Sequence, residues 1–78
     1  MDNKHFSKAL KDLRLEKELG QVTLAKALNY SKSSIGEWET GAHFPSVDAL
    51  IKIAIFFDVR INFLLGLEDE FGNKIKHL

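Results

Sequence analysis

The chain has 78 residues, of which 45% are hydrophobic, with no Cys and one Pro. That is enough apolar material for one small core and too much for a disordered chain; the lack of Cys excludes a disulfide framework, a thiolate nucleophile and Cys-ligated zinc. Eleven basic residues balance eleven acidic ones, a net charge of +0, so any case for nucleic acid must come from where the charges sit.

The first segment runs from about Lys4 to Leu19. Phe6, Ala9, Leu10 and Leu13 make the apolar stripe of an amphipathic helix. Asp2 or Asn3 can cap its start and Gly20 can end it. Gln21 to Leu28 repeats Leu24, Ala25 and Leu28; a helix of about two turns needs its neighbours to hold it. Asn29 suits the left-handed conformation that closes a helix.

The third segment, Lys32 to Thr40, follows Ser31 as N-cap and is closed by Gly41. Ile35 and Trp38 are its apolar positions. A loop, Ala42 to Pro45, leads to a fourth helix capped by Ser46, with Asp48 complementing the helix dipole. Val47, Leu50, Ile51, Ala54 and Phe57 give it a long apolar face. A short fifth helix follows, with Asn62 as cap and Gly66 as stop. No stretch shows strand alternation, so the fold class expected is all-α with five helices.

Segments two and three are joined by three residues, Asn29, Tyr30 and Ser31. So tight a connection forces the steep crossing of a helix-turn-helix. Ala25 is small where the helices touch, and Ile35 is apolar where the third packs back on the second. At about 100° per residue, Ser31, Ile35, Trp38 and Glu39 fall on one side of the third helix. Lys32, Ser33, Gly36, Glu37 and Thr40 fall on the other, which holds no large apolar side chain. Gly inside a helix costs about 1 kcal/mol relative to Ala. Gly36 makes sense where an outside surface, such as a DNA groove, must approach the backbone closely; the plainer reading is that it is tolerated.

The run from Gln21 through Gly41, with Pro45-Ser46, resembles the Cro/cI-type (XRE) helix-turn-helix family, the lambda-repressor-like fold. The resemblance extends from Leu10 to Leu65 and includes Leu13-Arg14 and the Leu50, Ala54, Val59, Leu64 pattern. It implies sequence-specific binding of double-stranded DNA by a transcriptional regulator of repressor type, with the third helix in the major groove. Gln21 stands where the family contacts phosphate and braces the helix. Lys32, Ser33 and Glu37 stand at base-reading positions; Thr40, His43 and Phe44 stand where the family touches phosphate. Arg14 and Glu39 match a partly buried ion pair between helices one and three. There are two departures. Gly20 replaces the usual Ser or Thr before Gln21. Lys32 and Glu37 stand where many relatives carry Gln, so no operator sequence carries over.

Other readings are weaker. His5, His43 and His77 share no metal-ligand spacing, and Glu68-Asp69-Glu70 lacks the ligand spacing of a calcium loop. Trp38 faces the core rather than a ligand. An enzyme has no support: no nucleophile–base set and no phosphate loop. No cofactor or small-molecule ligand is implied. The polar start, Met1 to Lys11, lacks an apolar signal core. Ile53 to Val59, broken by Asp58, is too short to span a bilayer, so a cytoplasmic protein without membrane contact is expected. Groove-side cations are few: Lys32, Lys26 and, at the flank, Lys17.

Residues 1–66 are expected to form the DNA-binding domain and 67–78 a tail. Gly72-Asn73 can turn a hairpin that sets Asp69 opposite Lys76 and Leu67 opposite Leu78; alternatively Leu67, Phe71, Ile75 and Leu78 form a helical stripe. The tail, or helix five beside it, is the candidate contact of a homodimer on a two-fold operator; docking on the chain's own core, or disorder, are the alternatives for the tail. The competing function is a protein-interaction module that keeps the fold without DNA affinity, which the neutral charge allows.

Overall fold

Phe6 and Leu10, one turn apart, are both buried, and this apolar pair fixes the inner face of the first helix, α1 (Asn3–Glu16). The structure, a computed structural model, describes residues 3–69, 73 and 74. The helices that follow are α2 (Gln21–Leu28), α3 (Lys32–Thr40), α4 (Val47–Phe57) and α5 (Ile61–Leu64). Their inward side chains form one core: Phe6, Leu10, Leu24, Ala25, Leu28, Ile35, Trp38, Ala49, Leu50, Ile53, Ala54, Phe57 and Leu64. Helices α1 and α2 both pack on α3, while α4 and α5 close the far side. The all-α, five-helix expectation holds. Among the described residues the β pairing is a single antiparallel bridge, Glu68 to Lys74.

Three helices end by the same device. Glu18, Asn29 and Asp58 have φ of 56°, 63° and 55°. The next residue in each case, Leu19, Tyr30 or Val59, donates its N–H to a carbonyl five residues back: Arg14, Ala25 or Ala54. Its apolar side chain then packs against the core. This is the Schellman stop, in which a left-handed residue satisfies orphan carbonyls and the apolar residue beyond it turns inward.

Several expected boundaries move. Helix one stops at Glu16 rather than Leu19, and Glu18, not Gly20, takes the left-handed turn. Asn3 lies inside the helix rather than capping it, and the Asp2 cap lies outside the described residues. Asn62 lies within α5; Arg60 occupies the N-cap, without a side-chain bond, because its carbonyl accepts the first N–H groups of the helix. On α4, Val47 and Ile51 are exposed, and the core face is Ala49, Leu50, Ile53, Ala54 and Phe57. A helix apolar on nearly every side offers several stripes, and periodicity alone does not choose among them.

The described part of the tail pairs antiparallel across residues 68–69 and 73–74. Glu68 bridges Lys74, and the Asp69 N–H donates to the Asn73 carbonyl at 2.9 Å. The Asp69 carboxylate accepts the Asn73 N–H at 2.9 Å. Glu68 is buried, with Oε1 3.0 Å from Arg60 Nε in an ion pair rather than an aligned hydrogen bond. The partners Lys76 and Leu78, the Gly72 turn position, the Phe71–Ile75–Leu78 stripe and His77 lie outside the described residues.

One polar cluster ties the first three helices together. Arg14, in the last turn of α1, donates from Nε to Glu39 Oε2 at 2.6 Å and from Nη2 to Oε1 at 2.9 Å. Its third nitrogen, Nη1, donates to the Leu19 carbonyl at 2.8 Å. Gln21, the first residue of α2, donates to Glu39 Oε1 at 3.2 Å. The Glu39 side chain is only 4% exposed. Its hydrogen bond holds the Arg14 guanidinium above its ordinary pKa, against the opposing effect of burial. A raised value adds stability that is lost only as pH climbs through the guanidinium's own range, so this contribution is constant near neutrality.

Losing one partner strands the other charge, at about 3–5 kcal/mol when burial is complete. Arg14→Ala and Glu39→Ala should each lower the melting temperature by several degrees, at about 4–8 °C per kcal/mol for a domain of this size. The double variant should melt close to the worse single one. Calorimetry checks this, and two single variants that melt like wild type would remove the pair from its structural role.

Candidate nucleic-acid interface

The outer face of α3 follows from how its inner face is fixed. Ser31 caps the helix, its hydroxyl accepting the Ser34 N–H at 3.1 Å. Ile35 and Trp38 are buried, with Tyr30 of the turn edge-on to the Trp38 ring at 5.2 Å. Glu39 is held by Arg14 and Gln21. Ser7 of α1 donates to the Trp38 carbonyl at 2.6 Å, serving a carbonyl in the last turn of α3. With that side engaged, Lys32, Ser33, Glu37 and Thr40 all point to solvent, as the 3.6-residue period predicts.

Gly36 lies in the middle of this face. A Cβ built there meets nothing within 4 Å. The chain's own packing therefore gives no reason for glycine, and the helix carries its cost of about 1 kcal/mol relative to Ala without an internal return.

The loop after α3 folds back on Glu37. The His43 N–H donates to the Glu37 carbonyl at 3.3 Å. His43 Nε2 lies 3.5 Å from Glu37 Oε2, at an exposed position. The Thr40 hydroxyl donates to the same Glu37 carbonyl at 3.2 Å and accepts the Ala42 N–H at 3.4 Å. Gly41 takes φ 83°, the left-handed stop expected of it. Phe44 differs from its neighbours: its ring packs on Phe6 at 5.2 Å, so its backbone rather than its side chain is left for an outside partner.

Lys32, Ser33, Glu37, Thr40 and His43 are thus exposed on the outer side of α3 and the loop after it, with Gly36 partly buried among them and Gln21 partly buried at the start of α2. Lys26 is exposed on α2, whereas Lys17 lies over the Phe56 ring of α4, 6.0 Å from its centroid, away from the α3 face. Sequence reasoning did not find Ser7 or the coupling of His43 to Glu37. A lone Ser on an amphipathic helix carries no signal of a partner 31 positions away.

A family-level sequence profile described as Helix-turn-helix matches residues 10–64. The chain belongs to this family. The helix-turn-helix chain is 39% identical over 64 residues to the HTH-type transcriptional activator BcrR of Enterococcus faecalis, covering 82% of its own length and 31% of BcrR. It therefore spans about a third of that relative. Its fold is similar to the crystal structure of the restriction-modification controller protein C.AhdI of Aeromonas hydrophila, with a TM-score of 0.74 and 32% identity over 81% of this chain and 96% of that one. The same fold also forms part of hydroxypropylphosphonic acid epoxidase from S. wedmorenis: TM-score 0.70, 25% identity, 80% of this chain and 33% of that one. Helix-turn-helix architecture by itself thus does not fix function, which is decided by the exposed surface of α3.

Gly36 separates the readings of that surface. Gly36→Ala should raise stability by up to about 1 kcal/mol, since the methyl meets nothing and the helix gains propensity. If a groove approaches the backbone here, the same variant should bind DNA more weakly. Melting and anisotropy measured on one preparation check both signs, and a more stable variant with unchanged affinity would make Gly36 a tolerated residue.

Proposed function

We propose that the chain is a sequence-specific double-stranded DNA-binding transcriptional regulator of repressor type that places α3 in the major groove. The observation that carries this is the outer face of α3. It is hydrogen-bonding throughout, free of large apolar side chains, and centred on a glycine that nothing in the chain itself requires. In this reading Lys32 and Ser33 enter the groove first and Glu37 reads one turn later. Lys donates to guanine O6 and N7, and Glu accepts from cytosine N4. Gln21, Thr40, His43 and the Phe44 backbone contact phosphate and set the register. The regulator is a homodimer on a two-fold operator, since operator symmetry mirrors protein symmetry. Its place is the cytoplasm, where that DNA is; among the described residues no helix is long and apolar enough to cross a membrane.

A second reading is a protein-interaction module that keeps the fold without DNA affinity. The net charge of +0 favours it. Salt dependence separates the two. Counting Lys26 and Lys32 on each of two protomers, the log–log slope of specific binding should be about −4, at −0.9 per phosphate neutralised. No retardation of genomic DNA at low salt would favour the module.

Base reading has a sharper test. Glu37→Gln should shift preference at one base position by about 1–3 kcal/mol and leave the others alone. Gln21→Ala should weaken all sequences alike. Selection of bound sites from a random pool, repeated for each variant, reads both. A uniform gain in affinity for Glu37→Gln, with the same selected motif, would show a solvated charge that only repels phosphate.

A further inference from the structure

α4 carries more apolar surface than the core uses. Nine of its eleven residues are apolar, and its charged groups are Asp48 and Lys52. Ala49, Leu50, Ile53, Ala54 and Phe57 face inward. Val47, Ile51 and Ile55 do not: they are 70%, 40% and 76% exposed. Spaced four apart, they form a continuous β-branched stripe along the outer side of the helix. Beside Ile55 the stripe runs on into a shallow groove between α2 and α4, lined by Ala27, Leu28, Asn29, Lys52 and Phe56. A helix apolar on nearly all sides is one that is covered on nearly all sides.

We infer that a second copy of this chain covers this stripe, α4 packing antiparallel on α4 about a two-fold axis beside Ile51. The inference takes up the homodimer of the reading above, but its surface lies away from the α3 face and its test needs no DNA. Charge placement selects both the occupant and the orientation. With the helices antiparallel, Ile51 meets its own copy and Val47 meets Ile55 at each end. Asp48 then stands on the same flank as Lys52 of the second copy, and Lys52 as Asp48 of the second copy, so two opposite-charge pairs form. A parallel arrangement sets like against like. The stripe is thus complementary to itself under a two-fold axis, as an isologous interface requires. Lys52 now lies over the Tyr30 ring, its ammonium 5.1 Å from the centroid, and a turn of its exposed side chain releases it. The tail competes less well for this role: its described part is engaged on its own chain, through buried Glu68 beside Arg60 and the bridge to Lys74.

The test is sedimentation equilibrium of the full chain without DNA, with circular dichroism melting as the fold control. Wild type should dimerise. Ile51→Glu, which puts two carboxylates at the axis, should weaken the dimer by about 100-fold or more, since like charges brought together cost several kcal/mol. Asp48→Lys and Lys52→Asp should each weaken it, and the double variant should restore it. Each variant should keep its melting profile and its affinity for a half-operator duplex, which separates failure of the dimer from failure of DNA reading. A wild-type monomer at the highest concentration reached, or a dimer indifferent to Ile51→Glu, overturns the interface. Loss in both charge variants without recovery in the double one overturns the antiparallel pairing.

Discussion

The bond between Arg14 and Glu39 is the constraint from which the rest of the molecule can be understood. Helices of eight and nine residues, α2 and α3, have no independent stability in water. What aligns them is one carboxylate, nearly free of solvent, that takes both parallel N–H groups of a guanidinium on α1 and an amide from the first residue of α2. The same guanidinium holds the Leu19 carbonyl, where α1 turns towards α2. A planar, two-pronged bond fixes direction as well as distance, which a lysine at the same place could not do. The rotation of α3 about its own axis is therefore set by polar bonds at Glu39 and Ser7 and by apolar burial at Ile35 and Trp38.

That rotation decides which residues a partner meets. Turning α3 by one position would bring Glu39 out and Glu37 or Thr40 in, and would bury a charge without a partner. The neutral total charge fits this picture. A strongly basic domain relies on phosphate attraction that any sequence supplies; a neutral one with few cations near α3 must draw more of its discrimination from base edges and shape. The backbone at Gly36 and the carboxylate of Glu37, braced by His43 and the Thr40 turn, are the features suited to that work.

The parts of the molecule legible in the sequence were those with a local cause. Ser31 and Ser46 cap as their chemistry directs, Asn29 and Gly41 take the left-handed turns, and the inner and outer faces of α3 follow from its period. Arg14 and Glu39 were legible through family resemblance, being 25 positions apart with nothing local to join them. The misses have non-local causes. Glu18 accepts a left-handed turn because Leu19 beyond it packs in the core and bonds to Arg14 on both its N–H and its carbonyl. The buried face of α4 is not legible in the sequence because its composition satisfies two faces at once. The burial of Glu68 beside Arg60 is likewise non-local, the two residues meeting through the fold and not through any spacing the sequence displays.

The central claim is that the outer face of α3 reads DNA while the network beneath holds it in phase. Amide chemical-shift mapping, during titration with a duplex obtained by selection from a random pool, addresses it most directly. The account predicts that the largest changes fall on Gln21, on Lys32 through Glu37 and on Thr40 through Phe44, with the Arg14 side-chain resonance still that of an ion-paired guanidinium. Changes centred on α5 and the tail with α3 silent, or no change with any duplex, would contradict it.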